Sequence, residues 1–277
     1  MFRAVPLTTG RLAVTVVGSG PALLLAHGWP HSRHVWDLVL DRLATDHTVI
    51  APDLPGVGDS DAPPSFDAAT VAGCLDEACR ALGLGEYAVI AIDAAVPAAT
   101  WLTLAHPDRV RAAVLMESAL PGLPGAEDFL AGGPPWWFGF HAAAGLAETV
   151  LVGHEAEYVT WFLDAGAPGG IDGELRGRLV DAHTGRDRLR HGFGYYRALP
   201  RTAQQLAVAA RRGSRVPTLA IGSSPVGDTL ARQLAPLCDD LVSAVLPDTG
   251  HIIPLDAPGA LLDLVLPFLR DVEATRA

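Results

Sequence analysis

Lysine is absent from this chain, and all 20 basic residues are arginine. Charged residues make up only 18% of its 277 positions, and acids outnumber bases enough to leave a formal net charge of −11. A surface of that sign repels phosphate backbones, so nucleic acid is not an expected partner. No apolar run approaches the length needed to span a bilayer, so membrane insertion is not expected either. Met1-Phe2-Arg3 leads into polar, glycine-containing sequence and not into an apolar targeting segment. Cysteine is scarce. Cys74, Cys79 and Cys238 are an odd number without metal-like spacing, which suits reduced thiols in a cytoplasm. Neither a metal nor a cofactor is expected; the expected partner is a small-molecule substrate, and a homodimer is left open.

What is abundant is apolar and turn-forming. Hydrophobic residues reach 49%, with 29 glycines and 22 prolines in no short repeat. That describes a loop-punctuated globular chain large enough for a core domain carrying an insertion. Strand-like runs at Leu12–Val17, Ala22–Ala26, Thr48–Ala51, Tyr87–Ile92, Arg111–Met116, Pro217–Ile221 and Leu241–Leu246 alternate with helical patterns. The helical patterns fall at Trp36–Ala44, Asp67–Leu82, Ala94–Ala105, Asp228–Leu237 and Pro258–Leu269. Buried strands alternating with helices predict a mainly parallel sheet covered on both faces.

The alternation fails from Ala119 to Gly213. This stretch opens with the Pro/Gly-rich link at 121–125 and holds the Trp-rich Pro134–Phe140. Helical patterns follow at Ala147–Ala165, Asp172–His183, Asp187–Leu199 and Thr202–Arg211. About 90 residues exceed a plain crossover. They predict a lid over the strand carboxyl ends, where open α/β sheets place ligands.

Four segments carry chemistry. His27-Gly28-Trp29-Pro30 follows a strand, and its glycine permits a sharp turn that aims the Trp29 N–H over the sheet; an ordinary strand-to-helix turn would look the same. Ala91-Ile92-Asp93-Ala94-Ala95 joins an apolar strand to a helix, with small residues where a nucleophile elbow needs them. Asp93 could instead cap its helix. His251, in Asp248-Thr249-Gly250-His251, follows the last strand and could swing over the sheet edge. Glu117 ends the strand Arg111–Met116 and could orient that histidine; Asp228 competes for the same task, or caps a helix.

In this order the segments resemble the α/β-hydrolase superfamily, within it the epoxide hydrolase and haloalkane dehalogenase branch. The likeness also takes in Asp53-Leu54-Pro55-Gly56-Val57-Gly58-Asp59-Ser60 and Met116-Glu117-Ser118. The resemblance implies an α/β-hydrolase fold with a helical cap inserted after the sixth strand. The core would be residues 1–118 and 213–277, and the cap 119–212. It also implies Asp93 as nucleophile, His251 as base and Glu117 as its acid, with Asp228 as the alternative. The chain departs from the branch by lacking glycines around the elbow and by carrying Ala94 where Trp or Arg is frequent.

An aspartate nucleophile narrows the substrate. Attack on a carbonyl would give a labile anhydride, whereas attack on an sp³ carbon gives a stable alkyl ester. Epoxides and alkyl halides fit; esters do not. Backbone N–H groups of Trp29 and Ala94 are the candidate oxyanion donors. Epoxide opening also needs a proton donor, and Tyr196 sits where similar epoxide hydrolases carry a cap tyrosine. Trp136 or Trp137 would assist, with Tyr158 and Tyr195 in reserve, although each aromatic could simply pack the cap. The Trp pair resembles tailoring epoxide hydrolases of aromatic polyketide pathways, which implies a role in secondary metabolism and a flat, apolar substrate. A dehalogenase or a catalytically silent binding protein on the same fold are the alternatives.

Overall fold

Ala22–Ala26, Tyr87–Ile92, Val110–Met116 and Thr218–Ser223 are buried at every residue, as expected of central strands covered on both faces. In the computed structural model, which describes residues 1–276, they are β3, β5, β6 and β7 of one sheet. The others are β1 (Phe2–Leu7), β2 (Gly10–Val17), β4 (Thr48–Pro52) and β8 (Leu241–Leu246). The order is β1-β2-β4-β3-β5-β6-β7-β8. Pairing is antiparallel at β1–β2 and β2–β4 and parallel from β4 to β8.

Along β5 the side chains divide with the two-residue period of a strand: Val89 and Ala91 enter one apolar cluster, Ala88, Ile90 and Ile92 the other. The first cluster lies under α2 (Ala68–Ala81) and α3 (Val96–Ala105), the second under α1 (Asp37–Ala44) and, at the chain end, Pro258–Arg276. Truncating a leucine such as Leu25, fully buried on β3, costs about 2–5 kcal/mol.

Six helices stand between β6 and β7: α4 (Trp136–Ala142), α5 (Leu146–Leu151), α6 (Glu155–Gly166), α7 (Gly173–Asp181), α8 (Arg186–Arg197) and α9 (Leu199–Ala209). After β7 come α10 (Thr229–Leu234), α11 (Ile253–Asp256) and α12 (Pro258–Arg276). Hydrogen bonds tie the insertion to the core, two sets of them at helix ends. Ala68 N–H donates to Thr202 Oγ1 at 3.1 Å and Ala69 N–H to Gln205 Oε1 at 3.0 Å, so α9 satisfies the open N-terminus of α2. Ile252 N–H donates to the Gly166 carbonyl at 2.7 Å, joining the end of α6 to the loop after β8.

Three local expectations are corrected. Strand β1 was not foreseen because only Val5 of its six residues is buried, which leaves no alternation to read. The single helix expected over Ala147–Ala165 is two, broken where Gly153 takes φ +87°. The helix expected from Asp228 to Leu237 is only Thr229–Leu234.

Candidate active site

The strand tips carry the strain. Asp93 after β5, Glu117 after β6 and Asp248 after β8 have φ of 53°, 52° and 55°, and they are the non-glycine residues with positive φ among those described. Such backbone costs about 1–3 kcal/mol each and persists where the surroundings hold it. At Asp93 the chain turns from Ile92 into a short 3₁₀ turn, Asp93–Ala95, and then into α3. Fully buried Ala91 and Ala95 leave room for α3 to cross β5 closely.

Gly28 serves a different end from the one its sequence suggests. Its φ is not in the left-handed region; instead, a Cβ there would lie 2.4 Å from Asp93 Cβ. The glycine is required because the aspartate fills the space. That close approach lets Trp29 N–H donate to Asp93 Oδ1 at 2.8 Å.

The other carboxylate oxygen, Oδ2, faces His251 Nε2 at 3.3 Å, and His251 Nδ1 meets Glu117 Oε2 at 2.9 Å. Glu117 is buried, and its second oxygen accepts from the backbone N–H of Ser223 at the end of β7. Ser223 Oγ in turn donates to the Gly250 carbonyl at 2.9 Å, which fixes the histidine loop. A Cβ on Gly250 would stand 2.4 Å from the Gly166 carbonyl, so only glycine lets this loop slide beneath α6.

Burial lowers the His251 pKa, but hydrogen bonds to Asp93 and Glu117 and their negative charges reverse this and raise it to about 10. The ring is therefore an imidazolium at neutral pH, donating from both nitrogens. For Asp93, burial pushes the pKa up, while the His251 hydrogen bond and charge and the Trp29 N–H outweigh it and hold it below the ordinary value.

A cavity of about 630 Å³ opens over these groups, its walls including Trp137, Phe138, Phe162 and Tyr196 of the insertion. The loop before α4 adds Leu123, from the Pro/Gly-rich link, and Phe129. Among the described residues, no arginine or lysine lines it. Tyr196 is buried, and burial followed by the charge of Asp93 and by Tyr158 pushes its phenol well above the ordinary value, opposed by a hydrogen bond with Trp137. Ala94 also borders the cavity.

Other expected site residues fall elsewhere. Asp228 is not the partner of His251: its exposed carboxylate pairs with Arg232 Nε at 3.2 Å. It stands at the N-cap position of α10 without a side-chain capping hydrogen bond, and the N-cap of α3 is Ala95, not Asp93. Trp136 is 57% exposed and lies outside the cavity, because neighbours on a helix point about 100° apart and only Trp137 faces inward. Tyr158 is also outside, its hydroxyl 2.7 Å from His141 Nε2. Tyr195 borders the cavity, but its hydroxyl donates to the Pro55 carbonyl at 2.9 Å.

His141 was missed. It stacks on Phe193 at 4.2 Å and meets the Tyr196 ring edge-on at 4.4 Å. Burial first, then Arg197, drives its pKa down to about 3, so it is a neutral packing group behind the phenol. Nothing in the sequence marked it out from the other nine histidines. Among the described residues, no cluster of His, Cys, Asp and Glu is arranged to hold a metal ion. No described helix is long and apolar enough to cross a membrane.

The chain is 27% identical over 272 residues to a soluble epoxide hydrolase of Corynebacterium sp. (strain C12), covering 93% of each protein. It is 33% identical over 108 residues to a fluoroacetate dehalogenase of Burkholderia sp., 37% of this chain and 36% of that one. The crystal structure of wild-type Cfl2 from Burkholderia cenocepacia superposes with a TM-score of 0.87 at 28% identity, covering 96% of this chain and 94% of that one. A family model described as alpha/beta hydrolase fold matches residues 21–258. Sheet order, strand-tip geometry and this match agree that the chain belongs to the α/β-hydrolase family of enzymes.

Proposed function

We propose that this chain hydrolyses an epoxide to a vicinal diol through an alkyl ester on Asp93, with residues 119–212 as its cap. One observation carries the reading: the strand-to-helix elbow presents a carboxylate, and the cavity above it also holds the Tyr196 phenol. Asp93 attacks an epoxide carbon, the C–O bond breaks, and the departing oxygen takes its proton from Tyr196. The new ester is uncharged. One of the two carboxylates that hold His251 protonated is thereby lost, so the histidine pKa falls and its proton can return to the phenolate. Neutral His251, oriented by Glu117, then takes a proton from water as the oxygen adds to the Asp93 carboxyl carbon. The N–H groups of Trp29 and Ala94 stabilise the oxyanion. Collapse frees the diol and restores both the carboxylate and the imidazolium.

The relative named a soluble epoxide hydrolase, matched over 93% of this chain, supports the reaction. An apolar cavity of about 630 Å³ suits a sizeable apolar or aromatic substrate. A halide that itself carries a carboxylate, as fluoroacetate does, would meet Asp93 with no arginine or lysine to offset its charge. The decisive experiment is intact-mass analysis of His251→Gln after exposure to matched epoxides and haloalkanes. An adduct equal in mass to the epoxide, on the peptide containing Asp93, is the expected result. Adducts from haloalkanes alone would transfer the assignment to dehalogenation. No adduct, together with no diol from the unaltered protein, would overturn the enzyme reading.

A further inference from the structure

His251 stands on a loop, yet the backbone on both sides of it is held. The Gly250 carbonyl accepts from Ser223 Oγ, and Ile252 N–H donates to the Gly166 carbonyl. Gly250 N–H donates to Asp256 Oδ2 at 2.7 Å. The other oxygen of the same carboxylate, Oδ1, accepts from Gly169 N–H at 2.9 Å. Gly169 belongs to the turn that follows α6, and α6 supplies Trp161, Phe162 and Ala165 to the cavity wall. One side chain therefore joins the histidine loop to the insertion.

Three glycines make this junction possible. A Cβ on Gly166 would lie 2.6 Å from Ile252 Cγ1, and one on Gly169 would lie 3.0 Å from Asp256 Oδ1. At Gly250 the obstacle is the Gly166 carbonyl, at 2.4 Å. Asp256 ends α11 and does not line the cavity, so it cannot touch the substrate. What it can do is fix direction. Hydrogen bonds from N–H to a carboxylate are charge-assisted, about twice as strong as neutral ones. Without them the peptide that precedes His251 is free to turn, and the imidazole turns with it.

The two half-reactions depend on that direction unequally. Opening the epoxide draws on Asp93 and Tyr196, with the imidazolium as a counter-charge. Hydrolysis needs His251 Nε2 aligned with a proton of water, and a misplacement of about 1 Å can cost about 10²-fold. We propose that Asp256 is a positioning residue for the second half-reaction, clamping the His251 loop to the end of α6 so that the ring is aimed at water. This rests on the Asp93 ester proposed above.

Rapid mixing of the full chain with styrene oxide, followed by quenching and intact-mass analysis, reads the two steps separately. In Asp256→Ala the ester should form within about twofold of the unaltered rate and break down about 10- to 100-fold more slowly. An adduct then accumulates on a protein whose His251 is intact. Asp256→Asn keeps the shape and one acceptor oxygen. It should accumulate less adduct, and it covers the case in which the alanine variant does not fold. Hydrolysis unchanged, or both steps slowed alike, overturns the proposal. His251→Gln separates the two failures: an adduct there but none in the Asp256 variants overturns this inference alone, whereas no adduct in any of them overturns the Asp93 ester and this inference with it.

Discussion

The strand tips and the inner face of the helical insertion meet across one cavity but are built on opposite terms. At the tips, Trp29, Asp93, His251, Glu117 and Ser223 form an unbroken run of hydrogen bonds on strained backbone. The insertion answers with rings: Trp137, Phe138 and Phe162 pack edge-on or tilted, and Tyr196 brings the phenol. A hydrogen-bonded network fixes angles and protonation states, whereas rings packed edge to face fix shape. Reactivity should therefore belong to the sheet, and the choice of substrate and leaving group to the insertion.

Four measurements can break or sharpen that division. The largest effect is expected at the sheet: Asp93→Ala should cut turnover by about 10⁴-fold or more, since no other group can form the ester. Retained activity would remove the nucleophile from the scheme. Next is Tyr196→Phe, expected to slow epoxide opening by about 10²- to 10⁴-fold in single-turnover assays. Its KM should change little, and an equal loss in KM would make the phenol a wall and not an acid.

The third contrast lies among the histidines. Burial, the largest cause in each case, takes the pKa values of His31 and His141 down to about 3 and of His183 to about 4. The unfolded chain therefore binds protons first as pH falls below about 6.5. Each of these residues should remove about 1.4 kcal/mol of stability per pH unit down to its folded value. His251 has the opposite sign: its folded value of about 10 lies above the unfolded one. Its contribution is complete below about 6.5 and disappears as pH rises through about 10. Melting temperature should thus peak near neutral pH and fall on both sides; a flat profile in acid would mean that the buried rings are solvated. The smallest effect compares neighbours. Trp137→Ala should alter KM for bulky epoxides several-fold, while the exposed Trp136→Ala should leave it within about twofold.

Much of the sheet was legible because central strands must be apolar along their whole length, and β3, β5 and β6 are. Glu117 could be preferred over Asp228 only through the family resemblance, which matches its place after β6; the residues alone left both open. The insertion was harder to read. The period of a helix says which residues share a face but not which face meets the cavity, so Trp136 could not be told from Trp137, and Tyr158 stayed in reserve behind Tyr196. His141 gave no signal at all, since a buried neutral histidine differs from an exposed one only through its neighbours.

By itself the sequence determined the alternation of strands and helices, the chain order of elbow, acid and histidine, and the carboxylate at the elbow. Those are properties of local pattern and residue type. Only the tertiary structure decided that Gly28 makes way for Asp93, that His251 stands between two carboxylates as an imidazolium, and that one tryptophan of the pair faces the cavity. Each of these depends on distances of a few ångströms between segments far apart in the chain, and the packing that closes such distances is a property of the whole fold.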